Sequence, residues 1–128
     1  RLGAFADLLT WNPTKAEVPE ENRPLVTAKT KPAFAAGRWT HVVFTWDGFN
    51  SGKKSATAKL YIDGNHEGTI TGWDQKFTWK PDETSRLLLG LNYIGLLDEV
   101  SCFDRSLTLS EIESLHTLKS GLTPLLPE

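Results

Sequence analysis

Carboxylates are the first candidates for chemistry, because hydrolysis of a glycosidic bond uses two carboxyl groups that face one cleft. Asp98 and Glu99 are adjacent in a strongly apolar stretch of the sequence. Adjacent residues of a strand point to opposite faces, so these two side chains diverge. We therefore expect no glycoside hydrolase activity from this pair.

The three histidines and the single cysteine suggest no nucleophile and base. His41 and His66 lie in strand or turn contexts, and His116 lies on a predicted helix. Cys102 falls on the apolar face of a predicted strand, which is typical of a small core side chain. One cysteine also excludes an internal disulfide. We predict no catalytic residues and a protein that is not an enzyme.

Asp98 is a carboxylate within an apolar pattern. On an extended strand it shares a face with Ile94, Leu96, Val100 and Cys102. A buried carboxylate is costly unless it is hydrogen-bonded or paired. We expect Asp98 to be buried and held by at least two polar partners, either backbone N–H groups or an arginine such as Arg86 or Arg105. Loss of such a side chain costs about 3–5 kcal/mol.

Tryptophan is unusually frequent, with five in 128 residues. Trp73 and Trp79 flank a polar stretch that begins with Asp74. Flat apolar rings beside hydrogen-bonding side chains are typical of sugar sites, so we predict Trp73, Asp74 and Trp79 as ligand-binding residues. Two tryptophans six residues apart could equally lie on one face of an irregular strand and close one end of a sandwich as buried side chains, and this alternative stays open.

The elements that position these residues are mostly short strands. Residues 38–47 alternate with period two and place Val42, Phe44 and Trp46 on one face, whereas Thr45 and Asp47 fall on the other. Further strands are predicted at residues 2–11, 25–31, 58–62, 66–71, 85–91 and 94–103. The predicted core contains Val42, Phe44, Trp46, Leu60, Ile62, Leu89 and Val100.

Two local signals are specific. The sequence Asp63-Gly64-Asn65 tolerates positive φ and predicts a tight hairpin. Thr108 and Glu111 form a T-x-x-E capping box before an apolar residue at every third position, which predicts an amphipathic helix over residues 109–118. Many strands with one terminal helix predict an all-β antiparallel sandwich.

Length and charge limit the partners. A chain of 128 residues has the usual size of one domain, and we predict a single domain over residues 1–128. The formal net charge of −2 is too small to attract nucleic acid, and no apolar run reaches the roughly 20 residues that span a bilayer. We expect no nucleic-acid partner and no membrane insertion.

Three motifs resemble a known family. Residues 37–48, GRWTHVVFTWDG, resemble a strand motif G-x-W-x-H-V-A-x-T-x-D-G. Residues 60–64, LYIDG, resemble a hairpin motif L-Y-V-D-G. Residues 95–108, GLLDEVSCFDRSLT, resemble a closing strand motif G-x-I-D-E-V-x-I-Y-N-R-A-L-S. Their order and spacing resemble the laminin-G-like members of the concanavalin A-like lectin and glucanase superfamily, over about residues 37–116.

The resemblance implies a jelly-roll fold of roughly 150–200 residues, so this chain is either a trimmed domain without the N-terminal strands or a fragment. Glucanases of the superfamily carry E-x-D-x-x-E on one strand, and this chain lacks it. Oxygen-rich loops of the superfamily often bind calcium, which makes Asp98 a candidate calcium ligand. Calcium takes roughly six to eight oxygens, however, and no Asp/Asn cluster is present, so the hydrogen-bonded interpretation is favoured.

The function implied is a non-catalytic, lectin-like carbohydrate-binding module of a larger secreted bacterial protein, located outside the cell or in the periplasm. Its expected partners are a glycan and the other domains of the parent protein. A protein-interaction or structural module without a sugar ligand is the alternative, and a cryptic glycosidase is the least favoured interpretation.

Overall fold

The structure is a computed structural model that describes residues 3–5, 25–31, 34–48, 51–73, 89–90, 93–119 and 121–122. Its elements are β1 (Gly3–Phe5), β2 (Leu25–Thr27), β3 (Val42–Asp47), β4 (Ala56–Ile62), β5 (Asn65–Trp73) and α1 (Leu109–Thr117). The strands form two antiparallel sheets, ordered β1-β2 and β3-β4-β5. Within the described residues, antiparallel strands occur together with one short helix, as predicted.

A two-residue turn closes the β4–β5 hairpin. Ile62 pairs with Asn65, and both loop residues have positive φ, 49° at Asp63 and 79° at Gly64. This geometry matches the right-handed twist of paired strands, and Gly and Asp tolerate it better than most residues. The side-chain amide of Asn65 donates a hydrogen bond through Nδ2 to the backbone carbonyl of Asp63 at 3.0 Å. The predicted hairpin is confirmed.

Strand β3 pairs with β4 in antiparallel fashion, which sets Phe44 opposite Leu60 and Trp46 opposite Ala58. Asp63 fixes the start of this pairing. Its backbone N–H donates to the carbonyl of His41 at 2.8 Å, and its Oδ1 accepts from the backbone N–H of His41 at 2.9 Å. Strand β3 is therefore aligned by the same residue that turns the hairpin.

The core lies where β2 packs against β4 and β5. Val26, Ala58 and Leu60 form its fully buried centre, and Ala28, Phe44 and Ile70 pack around them. Gly68 permits this packing, because a Cβ atom there would lie only 2.6 Å from the carbonyl oxygen of Thr27. The two sheets are thus held at a separation that only glycine allows at this point.

A buried carboxylate connects β5 to the segment that follows β2. Glu67 on β5 accepts hydrogen bonds through Oε2 from both the backbone N–H and the hydroxyl of Thr30, each at 2.9 Å. These bonds from Thr30 lower the pKa of Glu67 below its usual value, so the side chain stays ionised and bonded at neutral pH. Glu67 has the hydrogen-bonded environment that the sequence led us to expect for Asp98.

The predicted core is only partly correct. Leu60 and Ile62 are buried and Phe44 is half-buried, as expected. Val42 is 43% exposed, and the predictions are also wrong for Trp46, Leu89 and Val100, which are likewise exposed. Val42 and Trp46 are exposed because β3 is an edge strand among the described residues. Tyr61, which is not among the predicted core residues, is buried.

The predicted strand over residues 94–103 is also wrong. Described residues 93–108 contain neither strand nor helix, and Ile94 is 100% exposed. Two features interrupt an extended run here: Gly95, and Glu99 with a left-handed φ of 53°. Alternation in sequence indicates β propensity, but a strand also needs a continuous extended backbone and an edge to pair with.

The other predicted strands are shorter or fall partly outside the described residues. Of residues 2–11, β1 covers three, and of residues 25–31, β2 covers three. Of residues 85–91, only 89 and 90 are described, and these two are not in a strand. The strand at residues 66–71 is confirmed and extends further as β5.

Helix α1 is confirmed together with its cap. The hydroxyl of Thr108 accepts from the N–H of Glu111 at 3.3 Å, and the carboxylate of Glu111 accepts from the N–H of Thr108 at 2.8 Å. The helix buries Ile112 completely. None of the described helical residues forms a segment that is long and apolar enough to cross a membrane.

Two truncations on one sheet face test the distinction between centre and edge. Leu60→Ala removes a fully buried side chain and should reduce the free energy of unfolding by about 2–5 kcal/mol. Val42→Ala removes a partly exposed side chain from the same face and should cost less than about 1 kcal/mol. Urea denaturation of both variants measures the difference. Equal losses would contradict the assignment of β3 to the edge.

Candidate functional site

The outer face of the β3–β4 pair is polar. Thr45 pairs with Lys59, and Asp47 pairs with Thr57, on the face opposite to that of Phe44 and Leu60. Cross-strand partners lie close enough to act together. This pairing groups two hydroxyls, one carboxylate and one ammonium on a small area of the sheet.

These four side chains and Ser106 line a half-open pocket of about 190 Å³. Thr45 is buried at its base, whereas Asp47 and Lys59 are exposed. Hydroxyls both donate and accept hydrogen bonds, a carboxylate accepts and an ammonium donates. Because sites for drug-sized ligands are usually larger, at roughly 300–1,000 Å³, this pocket suits one small polar group.

A charged network fixes the segment that carries Ser106. Arg105 binds Glu111 through two hydrogen bonds, Nη1 to Oε2 at 2.9 Å and Nη2 to Oε1 at 2.6 Å. The guanidinium of Arg105 and the bonds from Thr108 lower the pKa of Glu111 to about 2. The pair therefore stays charged across the physiological pH range, and it holds residues 105–108 where α1 begins.

A second polar cluster surrounds the hairpin turn. Oδ2 of Asp63 accepts from Nη2 of Arg38 at 2.9 Å. The ring of His41 stacks on the ring of His116 from the last turn of α1, with centroids 5.6 Å apart and planes at 25°. Burial lowers the pKa of His41, and the nearby imidazole of His116 lowers it further, while the carboxylate of Asp63 opposes both.

The ligand residues predicted from the sequence stay largely untested. Asp74 and Trp79 lie outside the described residues. The backbone of Trp73 is the last residue of β5 and pairs with Ala56. Its position is therefore at the end of the sheet that also carries Asp47 and Thr57, and the sugar-binding role of the three residues remains a prediction.

The prediction of a buried Asp98 is wrong. Its side chain is exposed, and its Oδ1 accepts from the N–H of Glu99 at 2.8 Å. The left-handed backbone at Glu99 breaks the alternation that would have placed Asp98 in an apolar face. Glu99 itself forms the longer-range contact, since its Oε2 accepts from the N–H of Leu122 at 3.0 Å.

The described residues contain no set of side chains that could bind a metal ion. Within them, no three or more His, Cys, Asp or Glu side chains are grouped as a metal site would require. Asp98 as a calcium ligand stays a prediction. Cys102 is exposed rather than in the core, so its predicted role as a core side chain is wrong.

The sequence contained a signal for most of the pocket. Thr45 and Asp47 were assigned to the non-core face of β3, and Thr57 and Lys59 follow the same alternation on β4. A cluster of polar side chains on the outer face of two paired strands could therefore have been predicted. Ser106 could not, because only tertiary structure brings residues 105–108 over this face.

Comparisons with known proteins identify the family. A family model described as the concanavalin A-like lectin/glucanases superfamily, of laminin G type, matches residues 8–113. The chain belongs to this superfamily, which confirms the predicted laminin-G-like, jelly-roll class. No curated protein sequence matches the chain.

One solved structure that matches the chain is a crystal structure of an S-layer domain-containing protein (residues 221–444) from Clostridium thermocellum ATCC 27405. The identity is 22% and the TM-score 0.42, over 76% of this chain and 46% of that one. The chain thus spans less than half the length of this structure.

The exposure of Asp98 leads to a direct test. Asp98→Ala should change the free energy of unfolding by no more than about 0.5 kcal/mol, as expected for a solvated surface residue. Glu67→Ala is the matched comparison, because it removes an acid that is buried and hydrogen-bonded, and it should be clearly more destabilising. Thermal unfolding measures both. A loss of about 3 kcal/mol for Asp98→Ala would show that its carboxylate is buried after all.

Proposed function

We propose that the chain is a non-catalytic, lectin-like carbohydrate-binding module and that the pocket on the outer face of β3 and β4 is its ligand site. The observation that carries this proposal is the lining of the pocket, which combines three hydroxyls, one carboxylate and one ammonium. Membership of the lectin and glucanase superfamily supports the ligand class, although a fold alone does not determine function.

Sugar hydroxyls donate and accept hydrogen bonds, and the pocket offers both kinds of partner. Asp47 accepts from a hydroxyl, and Lys59 donates to a ring or hydroxyl oxygen of the same sugar unit. Hydrogen bonds to charged groups are the stronger kind, at about 1.5–3 kcal/mol each. Thr45, Thr57 and Ser106 adapt by rotation of their hydroxyls. The small volume favours recognition of one sugar unit at the site.

An aromatic contribution is consistent with the course of the chain. β5 ends at Trp73, at the end of the sheet that also carries Asp47. Stacking of a sugar ring on Trp73 or Trp79, with Asp74 as a polar partner, is part of the proposal.

The proposed activity is binding without turnover. Glycoside hydrolysis uses two carboxyl groups, about 5–5.5 Å apart in retaining enzymes and about 6.5–9.5 Å apart in inverting enzymes. The described lining of the pocket includes one carboxylate, that of Asp47. We propose that binding needs no metal and that the module belongs to a larger extracellular or cell-surface protein, as its family suggests.

A second function is favoured by a different observation. Residues 93–103 expose several large apolar side chains, among them Ile94, Leu96, Leu97, Val100 and Phe103. Contiguous exposed apolar surface often marks contact with another protein. The alternative function is therefore a structural module that docks on a protein through this segment and binds no sugar.

A glycan array with wild-type protein and two pocket variants tests the proposal. Asp47→Asn and Lys59→Gln each remove a charge-assisted hydrogen bond and should weaken binding of the selected glycan about tenfold or more. Asp104→Asn and Lys54→Gln change exposed charges outside the pocket and should bind as wild type does. Both pocket residues are exposed, so their replacement should leave the fold intact.

A chelator arm and a Trp73→Ala/Trp79→Ala double variant complete the array. Binding should be unchanged by the chelator and weakened in the double variant. The absence of any bound glycan, or equal binding by the pocket variants and wild type, would contradict the proposed site. Loss of binding with chelator would assign the site a metal.

A further inference from the structure

The C-terminal turn of α1 rests on the β4–β5 hairpin turn through one side chain. A Cβ atom on Gly64 would lie 3.5 Å from Cδ2 of His116, an ordinary van der Waals distance, so the ring lies against the turn. The His116 ring also stacks on the ring of His41, the residue before β3. His116 therefore contacts the hairpin turn and the segment before β3 at once.

Few groups compensate for charge at this contact. Among the described residues, the carboxylate that acts on His41 is that of Asp63, and both its oxygens are already bonded, Oδ1 to the N–H of His41 and Oδ2 to Arg38. Arg38 adds a positive charge from the segment before β3. Nδ1 of His41 is buried and has no hydrogen-bond partner among the described residues. A proton on this ring would thus gain little from its surroundings.

The remaining ionisable groups near this contact lie on α1 and β5. Glu113 is one turn before His116 on the helix, and Lys119 follows the helix. These two residues and His116 itself are exposed to solvent, which screens charges there. His66 packs edge-on against Tyr61, and its Nε2 lies 2.6 Å from the hydroxyl of Thr69. The third histidine of the chain therefore has partners of its own and is separate from the stacked pair.

We propose that the stacked pair His41 and His116 makes the docking of α1 on the hairpin turn sensitive to acid. With both rings neutral, they stack and hold the C-terminal turn of the helix in place. With both rings protonated, two positive charges face each other about 6 Å apart, beside Arg38 and an Asp63 carboxylate that is already bonded, and the helix end detaches.

The sign of the effect follows from proton binding. The pKa of His41 is lower in the folded protein than the usual 6.5, because burial and His116 disfavour its charged form. The unfolded chain then binds more protons than the folded chain as the pH falls below about 6.5, so acid destabilises the docked state. Docking is complete above that pH and weakens below it.

Hydrogen exchange of the α1 amides, corrected for intrinsic rates, tests the proposal without any ligand. In wild type, protection of residues 113–117 should fall about tenfold between pH 7.5 and pH 5.5, the order expected for two like charges at this distance in a partly hydrated site. In His116→Gln the fall should be largely absent. The control His66→Gln should keep the full pH dependence.

NMR titration of the imidazoles gives a second readout that needs no stable variant. His41 should titrate below pH 6.5 in wild type, and its pKa should rise in His116→Gln. Protection of α1 that does not depend on pH in wild type, or an equal loss of pH dependence in His66→Gln and His116→Gln, would overturn the proposal. A His41 pKa at or above 6.5 in wild type would overturn it as well.

Discussion

The turn at Asp63 and Gly64 is the constraint on which the larger sheet depends. Positive φ at both residues closes the hairpin with only two loop residues, and this sets the β4–β5 pairing. The carboxylate and the amide of Asp63 also bond His41, which sets the β3–β4 pairing. One residue therefore aligns three strands. The φ of Asp63 closes the β4–β5 hairpin, and its carboxylate and backbone N–H bond His41 before β3.

Register decides which side chains face the core and which face the pocket. Because side chains alternate along a strand, a shift by one residue would exchange the two faces. It would bury Lys59 and expose Leu60. The same alignment that packs Leu60 against Val26 thus places Thr45, Asp47, Thr57 and Lys59 together on the outer face. The proposed binding site is in this sense a consequence of the turn.

Local signals in the sequence predicted what local chemistry controls. The hairpin followed from residues that tolerate positive φ, the helix from a capping box, and the facing of Phe44 and Leu60 from period-two alternation. The exposure of individual side chains was harder to predict. Val42 and Trp46 are apolar and alternate as core residues do, but they lie on a strand that is at the edge of the described sheet. The apolar pattern of residues 94–103 failed for a related reason, since propensity supplies neither a pairing edge nor the extended backbone that Glu99 interrupts. Ser106 lines the pocket from the segment that the Arg105–Glu111 network ties to the start of α1, a long-range placement that no local signal predicts.

The alignment of β3 with β4 can be measured directly by interstrand Hα–Hα nuclear Overhauser effects in the full chain. Such effects are strong between directly opposed residues of antiparallel strands whose Cα atoms approach to about 4.5 Å. The structure predicts them between Phe44 and Leu60 and between Val42 and Ile62. A pattern displaced by one residue, with Phe44 opposite Tyr61, would contradict the register and with it the position of the pocket.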